Sequence, residues 1–169
     1  MLSDLHDLYR ERERKGFDTA QVCLNGHVIN STYVAFPEFN KAFCNKCGKA
    51  TITTCQNCQA PIQGEYHDSL GFGFQPPSRC HACGAMYPWT SGRRDAALEL
   101  VDELTLSSAE KEELKQSIQD LIEDGPRTRL AIVKFNKLVS KGGEWAFRDF
   151  KDSLVDVLSE STHKALFLH

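Results

Sequence analysis

All seven cysteines of the chain, together with one histidine, fall into four closely spaced pairs. The pairs are Cys23 with His27, Cys44 with Cys47, Cys55 with Cys58, and Cys80 with Cys83. Three pairs have the spacing Cys-x-x-Cys, which lets a tight turn aim both sulfurs at one metal ion, and the fourth contains Gly26 where its turn needs conformational freedom. Seven thiols and one imidazole supply the eight ligands that two closed tetrahedral zinc sites require. The sequence therefore predicts two zinc ions.

The alternative reading of these cysteines is a set of buried or disulfide-bonded residues. Four consecutive pairs with metal-ligand spacing favour metal binding over this alternative. Reduced thiols bound to zinc fit the cytoplasm better than an oxidising compartment, so we expect a cytoplasmic protein. The charged N-terminal segment lacks the apolar core of a secretory signal, and no run approaches the roughly 18 apolar residues of a membrane-spanning helix.

Two ways of pairing the ligands are open. In the sequential pairing, typical of zinc ribbons, the first ion is bound by Cys23, His27, Cys44 and Cys47, and the second by Cys55, Cys58, Cys80 and Cys83. In the cross-brace pairing of RING-type domains, alternate pairs share an ion. The spacers of 16 and 21 residues within the sequential sites are long enough for hairpins. The seven residues between Cys47 and Cys55 exceed the usual RING spacing, and the histidine lies in the first pair, so the sequential pairing is favoured.

Residues next to the ligand pairs have predicted supporting roles. Gly48 and Gly84 each follow a second cysteine, where a positive φ turns backbone amides toward the sulfurs. His81 lies between two ligand cysteines, where its ring is expected to point away from the metal.

The chain is predicted to have three parts, and its fold class is α+β overall. Residues 1–18 form a short helix, over 3–15, or a solvated tail. Residues 19–90 form a tandem zinc-ribbon module, a small zinc-stabilised β region with strands at 28–34 and 50–54. Residues 91–169 form an all-α helical domain. Because the β region cannot bury much apolar surface, zinc must supply much of its folding free energy, on the order of 10 kcal/mol per ion.

Four amphipathic helices are predicted after residue 91. The first spans 92–104 and is capped by Thr90 or Ser91, the second opens at a Ser107–Glu110 capping box, the third spans 127–140, and the fourth runs from 144 to the low 160s. Apolar residues recur every three or four positions. The predicted inner faces are Ala97, Leu98, Val101 and Leu104; Leu114, Ile118, Leu121 and Ile122; Ala131, Phe135, Leu138 and Val139; and Phe147, Phe150, Leu154, Val157 and Leu158.

The charge distribution gives no basic patch for nucleic acid. The net formal charges are −1 over residues 1–20, +1 over 21–92 and −3 over 93–169. Zinc bound by three thiolates and a histidine carries −1, and zinc bound by four thiolates carries −2, so the loaded middle region falls to about −2. A non-specific nucleic-acid binder usually carries a clear excess of Lys and Arg.

A loop rich in glycine and proline, over residues 66–78, lies inside the spacer of the second predicted site. It contains Phe72 and Phe74. These two residues either cover the neighbouring metal site or form a tip that binds a protein partner.

Four stretches of the chain resemble a bacterial zinc-ribbon family of unknown function. They are Gln21–Asn30, Phe43–Gly48, Cys55–Cys58 with Pro61-Ile62, and Cys80–Gly84 followed by Tyr87–Thr90. The resemblance covers roughly residues 18 to 165. It implies two consecutive zinc ribbons, a helical C-terminal region and a bacterial cytosol.

The expected function is that of a structural-zinc protein that acts as a protein-interaction or adaptor module without intrinsic catalysis. The alternatives are a nucleic-acid-binding ribbon protein, whose aromatic residues would stack on bases, and a RING-like accessory of a bacterial ubiquitin-like pathway. The signatures of a zinc deaminase and of a His-Glu-x-x-His metalloprotease are absent from the sequence. The partner and the oligomeric state are not specified by the sequence.

Overall fold

A computed structural model of the protein describes residues 16–67, 73–155 and 157–167. The chain divides into two compact units, with the boundary between Trp89 and Thr90. Short antiparallel strands belong to the first unit, and helices make up the described part of the second. The fold is therefore α+β.

The first unit contains two small antiparallel sheets. Its strands are β1 (Phe17–Thr19), β2 (Gln21–Cys23), β3 (Val28–Asn30), β4 (Thr51–Ile52) and β5 (Gln63–Tyr66), and a 3₁₀ turn spans Pro37–Phe39. One sheet pairs β1 with β5, and the other has the order β3-β2-β4. Val22 in the central strand lies opposite Val28 on one side and Ile52 on the other.

The strands are shorter than the sequence predicts. The strand predicted over 28–34 ends at Asn30, because the Asn30 side-chain oxygen accepts a hydrogen bond from the amide of Thr32 at 3.0 Å and turns the chain. The strand predicted over 50–54 is regular only at Thr51–Ile52. Residues 17 and 18, assigned to the N-terminal helix or tail, lie in β1, and the helix considered over 3–15 falls outside the described residues.

The first unit has one small apolar core. Its buried members are Ala20, Val22, Cys55, Ile62, Cys80, Tyr87 and Trp89. The rings of Tyr87 and Trp89 stack with their centroids 4.7 Å apart. Gly64 in β5 passes so close to neighbouring backbone that an added Cβ would come within 2.2 Å of the Ser31 carbonyl oxygen. Only a glycine allows β5 to approach this closely.

The second unit is helical. Its helices are α1 (Pro88–Glu103, which begins just before the boundary), α2 (Ser108–Glu123), α3 (Thr128–Val139), α4 (Glu144–Leu154) and α5 (Glu160–Phe167), with a 3₁₀ turn at Ser140–Gly142. The inner faces predicted for α2 and α3 are fully buried, which confirms the periodicity argument. Among the described residues, none of the helices combines the length and apolar character needed to cross a membrane.

Two helix boundaries differ from the prediction. Helix α1 begins at Pro88 and not after a Thr90 or Ser91 cap, because proline is favoured in the first turn, where its missing amide hydrogen costs no bond. The predicted fourth helix is two helices. A hydroxyl at Ser159 accepts a hydrogen bond from the amide of Thr162 at 3.2 Å, and this cap starts α5.

The predicted capping box at the start of α2 is confirmed. The Ser107 hydroxyl accepts from the Glu110 amide at 3.3 Å, and a Glu110 carboxylate oxygen accepts from the Ser107 amide at 3.0 Å. The other Glu110 oxygen is bound by Lys141. Lys141 first, and then Ser107, lower the pKa of Glu110 to about 2 from its ordinary 4.5.

Replacing Glu110 should therefore remove a pH-dependent part of the stability. A carboxylate with a lowered pKa stabilises the fold above its ordinary pKa, and this contribution is lost as pH falls from 4.5 to about 2. We expect Glu110→Gln to lower the free energy of unfolding at pH 7. The difference in this free energy between the variant and the wild type should shrink as the pH falls towards 2. Urea unfolding followed by helical circular dichroism measures this. Glu112→Gln, an exposed change on the same helix, is the matched control and should show no such convergence.

Candidate metal centres

The first candidate centre consists of Cys23, His27, Cys44 and Cys47. Their ligand atoms all lie within 4.8 Å of one another. The Cys23 and Cys47 sulfurs are 3.7 Å apart. His27 faces the sulfurs with Nδ1, which is 3.5 Å from the sulfur of Cys23 and 3.5 Å from that of Cys44. The ligand atoms therefore surround one point in space.

These spacings match the edges of a metal-centred tetrahedron. With zinc–sulfur bonds near 2.3 Å and zinc–nitrogen bonds near 2.0–2.1 Å, tetrahedral geometry places two sulfurs about 3.8 Å apart and a sulfur and a nitrogen about 3.6 Å apart. The observed 3.7 and 3.5 Å agree with both values. Three of the six spacings between ligand atoms therefore match a tetrahedron, and the cluster could hold a metal ion.

The second candidate centre consists of Cys55, Cys58, Cys80 and Cys83. The sulfurs of Cys55 and Cys83 are 3.8 Å apart, and those of Cys58 and Cys80 are 3.6 Å apart. Each centre thus combines two pairs that are consecutive in the chain, as the sequential pairing predicts. The cross-brace alternative, which would bring the first and third pairs together, is not the arrangement of these residues.

The three Cys-x-x-Cys loops share one backbone conformation, which we call the knuckle. Each is closed by a short antiparallel bridge: Phe43 with Ala50, Thr54 with Pro61, and Arg79 with Met86. In each, the amide after the second cysteine donates to the carbonyl of the first, at 2.8 or 2.9 Å. The residues at this position, Gly48, Gln59 and Gly84, have φ of 71°, 64° and 72°. Gln59 takes the left-handed conformation without being glycine, so the middle knuckle gives no glycine signal in sequence.

Backbone amides of the knuckles stabilise the thiolate form of two cysteines. The Ala82 amide lies 3.4 Å from the Cys80 sulfur, and this bond is the main cause that lowers the pKa of Cys80 to about 6. Burial raises the pKa of Cys44, but the amides of Lys46 and Cys47 outweigh it and bring the value to about 6. Each centre therefore contains at least one cysteine whose thiolate form is favoured at neutral pH.

Four sulfurs cannot all be ionised at such distances without a cation. The Ala60 amide acts to lower the pKa of Cys58, but the sulfurs of Cys83, Cys80 and Cys55, together with burial, raise it to about 12. A divalent ion at the centre reverses this repulsion, because its charge is attracted to every thiolate at once. The second centre could therefore hold a metal cation.

The Cys23–His27 turn differs from the knuckles and uses the glycine that the sequence indicates. Gly26 has a φ of 87°, and its amide donates to the Cys23 carbonyl at 2.8 Å. A Cβ at Gly26 would come within 2.8 Å of the Trp89 Cβ. The position therefore needs glycine for its backbone conformation and for its contact with Trp89.

The two centres rest on the same core. Gly26 of the first centre lies against Trp89, Trp89 stacks on Tyr87, and Tyr87 belongs to the same buried core as Cys55 and Cys80 of the second centre. Burial first, and then Cys80, raise the pKa of Tyr87 above its ordinary value, so the phenol remains a hydrogen-bond donor. Neither aromatic residue was assigned to a site by the spacing of the ligands.

The centres differ in exposure. In the first centre Cys23 and Cys44 are buried and Cys47 is half-buried. In the second, Cys58 and Cys83 are exposed. Reagents in solution therefore reach the thiols of the second centre more easily than those of the first.

The remaining site predictions have separate outcomes. His81 is exposed and belongs to neither cluster, which agrees with the expectation that it points away from the metal. Phe74 is half-buried and packs against the core of the first unit, which favours the covering role, and its contact with a partner stays a prediction. Phe72 falls outside the described residues, so its proposed contact with a partner stays a prediction.

No curated protein and no solved structure matches the chain. A family model described as an uncharacterized protein conserved in bacteria (DUF2321) matches residues 16–166, a range that contains both candidate centres, helices α1 to α4 and all but the last residue of α5. The chain therefore belongs to this family of uncharacterized bacterial proteins.

Proposed function

We propose that this protein binds two structural zinc ions in consecutive zinc ribbons and acts as a protein-interaction or adaptor module without intrinsic catalysis. The observation that carries the proposal is the complete set of four protein ligand atoms at each centre. A catalytic zinc keeps one position open for water or substrate, whereas a structural zinc is closed by four protein ligands. Because both sites would be closed, the metal ions would stabilise the fold and would not bind substrate.

The ligand types support zinc as the metal. Three cysteines with one histidine, and four cysteines, are both common ligand sets of structural zinc. A four-thiolate site can also hold iron, but an imidazole nitrogen beside three thiolates favours zinc. With zinc bound, the thiols stay reduced, and the proposal therefore includes a cytoplasmic location.

The small size of the first unit explains why metal would be needed. Its strands are two to four residues long and its apolar core has seven buried members. Such a core cannot by itself offset the conformational entropy that folding costs, whereas a structural zinc supplies about 10 kcal/mol or more. The metals would therefore hold the loops that carry the surface of this unit.

The two alternative functions have less support. A RING-like role calls for the cross-brace pairing, and the ligands are grouped sequentially. Nucleic-acid binding calls for an excess of positive charge, and two zinc–thiolate centres would bring residues 21–92 to a net charge of about −2. The protein-interaction role is the function that agrees with both observations.

The proposal predicts two zinc ions per chain. Native mass spectrometry of protein purified without added metal, together with elemental analysis, counts and identifies the ions. A mass excess of two zinc ions supports the proposal. A single ion per chain would show that one centre is not a closed zinc site, and iron in the second centre would overturn the assignment of its metal.

His27→Ala should reduce the zinc content to about one ion per chain, because it removes one ligand of the first centre and leaves three. The matched control is His81→Ala, which removes an exposed imidazole next to two ligand cysteines and should retain both ions. Competition with a chromogenic chelator measures the affinity of each site. Equal zinc loss from the two variants would contradict the ligand assignment.

Hydrogen peroxide should release zinc from the second centre before the first, because Cys58 and Cys83 are exposed. Two thiolates lose two electrons and form a disulfide, peroxide and two protons become two water molecules, and Zn²⁺ leaves unchanged. Native mass spectrometry should detect a species with one zinc, and peptide mapping should place its disulfide among residues 55–83. Oxidation that begins at Cys23 or Cys44 would contradict this order.

A further inference from the structure

The segment from residue 34 to residue 43 displays four large apolar side chains to solvent. We call this segment, which follows β3 and leads into the Cys44–Cys47 knuckle, the connector. The exposed fractions are 51% for Val34, 50% for Phe36, 58% for Phe39 and 65% for Phe43. The rings of Phe36 and Phe39 lie side by side, with centroids 6.4 Å apart. Exposed apolar groups concentrated in one segment are typical of an interaction surface.

Polar side chains from β1, β2 and β3 hold the connector in place. The two carboxylate oxygens of Asp18 accept from the amides of Val34 and Ala35, each at 3.0 Å. The Gln21 amide group donates to the Lys41 carbonyl at 2.9 Å and accepts from the Lys41 amide at 3.0 Å. Both Asp18 and Gln21 are buried. The connector is therefore fixed at both of its ends.

A third buried polar residue holds the middle of the connector. The Asn30 side-chain nitrogen donates to the Phe36 carbonyl at 2.8 Å and to the Asn40 side-chain oxygen at 2.7 Å. Asn40 in turn donates to the Tyr33 carbonyl at 3.1 Å. Burying polar groups is costly unless their hydrogen bonds are made, and here those bonds go to the backbone of an exposed segment.

The consequence of these bonds is a rigid backbone with apolar side chains on its outer side. A flexible loop would lose conformational entropy when it binds a partner, and this loss weakens binding. A loop that is already ordered by its own hydrogen bonds avoids that loss. Phenylalanine is also among the residues enriched at the centre of protein interfaces. The connector thus has the rigidity and the composition of a docking surface.

The charges around the connector indicate the chemistry of its partner. Three exposed lysines, Lys41, Lys46 and Lys49, lie in the connector and the knuckle that follows it, and Glu38 is the sole acidic residue of the sequence from 34 to 50. Zinc bound at the first centre would add a charge of −1, so the net charge over residues 34–50 falls from +2 to about +1. A partner with Asp or Glu beside its apolar side chains complements this surface. Three lysines are few for nucleic acid, whose binding commonly uses six to ten phosphate contacts.

We propose that the connector docks a segment of another protein that carries aromatic or aliphatic side chains next to acidic residues. This inference deepens the proposed function and rests on it, because it gives the interaction module its binding surface. The residues in contact would be Phe36, Phe39 and Phe43 at the centre, with the lysines around them.

A library of random 16-residue peptides displayed on phage, selected against the zinc-loaded full chain, tests this proposal. We expect the selected peptides to combine aromatic or aliphatic residues with Asp or Glu. Synthetic copies of these peptides should bind the Phe36→Ser/Phe39→Ser variant at least tenfold more weakly in fluorescence anisotropy. The control variant Leu130→Ser/Val133→Ser changes two equally exposed apolar residues of α3 and should bind like the wild type.

A charge variant makes the test independent of the phenylalanines. Lys41→Glu/Lys49→Glu alters exposed side chains, leaves the apolar residues in place and should also weaken the acidic peptides at least tenfold. Zinc content and circular dichroism verify the fold of each variant. If one variant loses zinc, the other still decides the outcome.

Several results would overturn the proposal. They are an absence of enriched peptides, peptides without acidic residues, and equal binding by both variants and the wild type. Binding of a labelled 20-nucleotide poly(U) strand that is lost in the serine variant would assign the connector to nucleic acid. A dimer in sedimentation that the serine variant dissociates would assign it to a second copy of the chain. A wild-type chain without zinc would contradict the proposed function itself, and this failure is separate from a lack of peptide binding to the zinc-loaded chain.

Discussion

The crowding of sulfur atoms around two points is the interaction on which the first unit depends. Sulfurs 3.6–3.8 Å apart cannot all be thiolates unless a cation lies between them, and as thiols they contribute little to holding four loops together. The backbone of each knuckle is folded to bring its two sulfurs together, and the residue after each second cysteine has a left-handed conformation. Strands of two to four residues could not fix these loops by hydrogen bonds alone. The strands are therefore too short to fix the ligand loops, and under the proposed function the metal ions would hold these loops.

The two centres and the apolar core form one continuous system. Cys55 and Cys80 of the second centre are members of the core, together with Tyr87 and Trp89, and Trp89 contacts the turn of the first centre. In a small core, a residue that also orders a ligand cysteine contributes both to apolar packing and to the positioning of the ligand. The second unit is stabilised in a different way. There, the buried faces of α2 and α3 and the edge-to-face packing of Phe135 on Phe150 supply a conventional helical core.

The features that could be predicted from the sequence are those with a short-range chemical signal. Ligand spacing predicted the two ligand clusters and favoured their sequential pairing. Periodicity predicted the inner faces of α2 and α3, and the Ser107–Glu110 pair predicted a helix start. The features that could not be predicted either lack a distinctive residue signal or depend on contacts distant in sequence. Gln59 adopts a positive φ because the knuckle requires it, and Ser159 interrupts an apolar pattern that continues across it. The polar contacts that fix the connector join β-strands to a loop up to 20 residues away, which periodicity cannot detect.

The backbone conformation of the connector and the side chains that it displays depend on different residues. Asp18, Gln21 and Asn30 hold it mainly through backbone amides and carbonyls, which every residue type except proline provides in full. The outward side chains at 34, 36 and 39 can therefore be exchanged without loss of the loop conformation. In evolutionary terms, a chain with these three buried residues can keep the backbone of the loop and change the side chains that it displays. A protein engineer could randomise the same positions and use the unit as a small display scaffold.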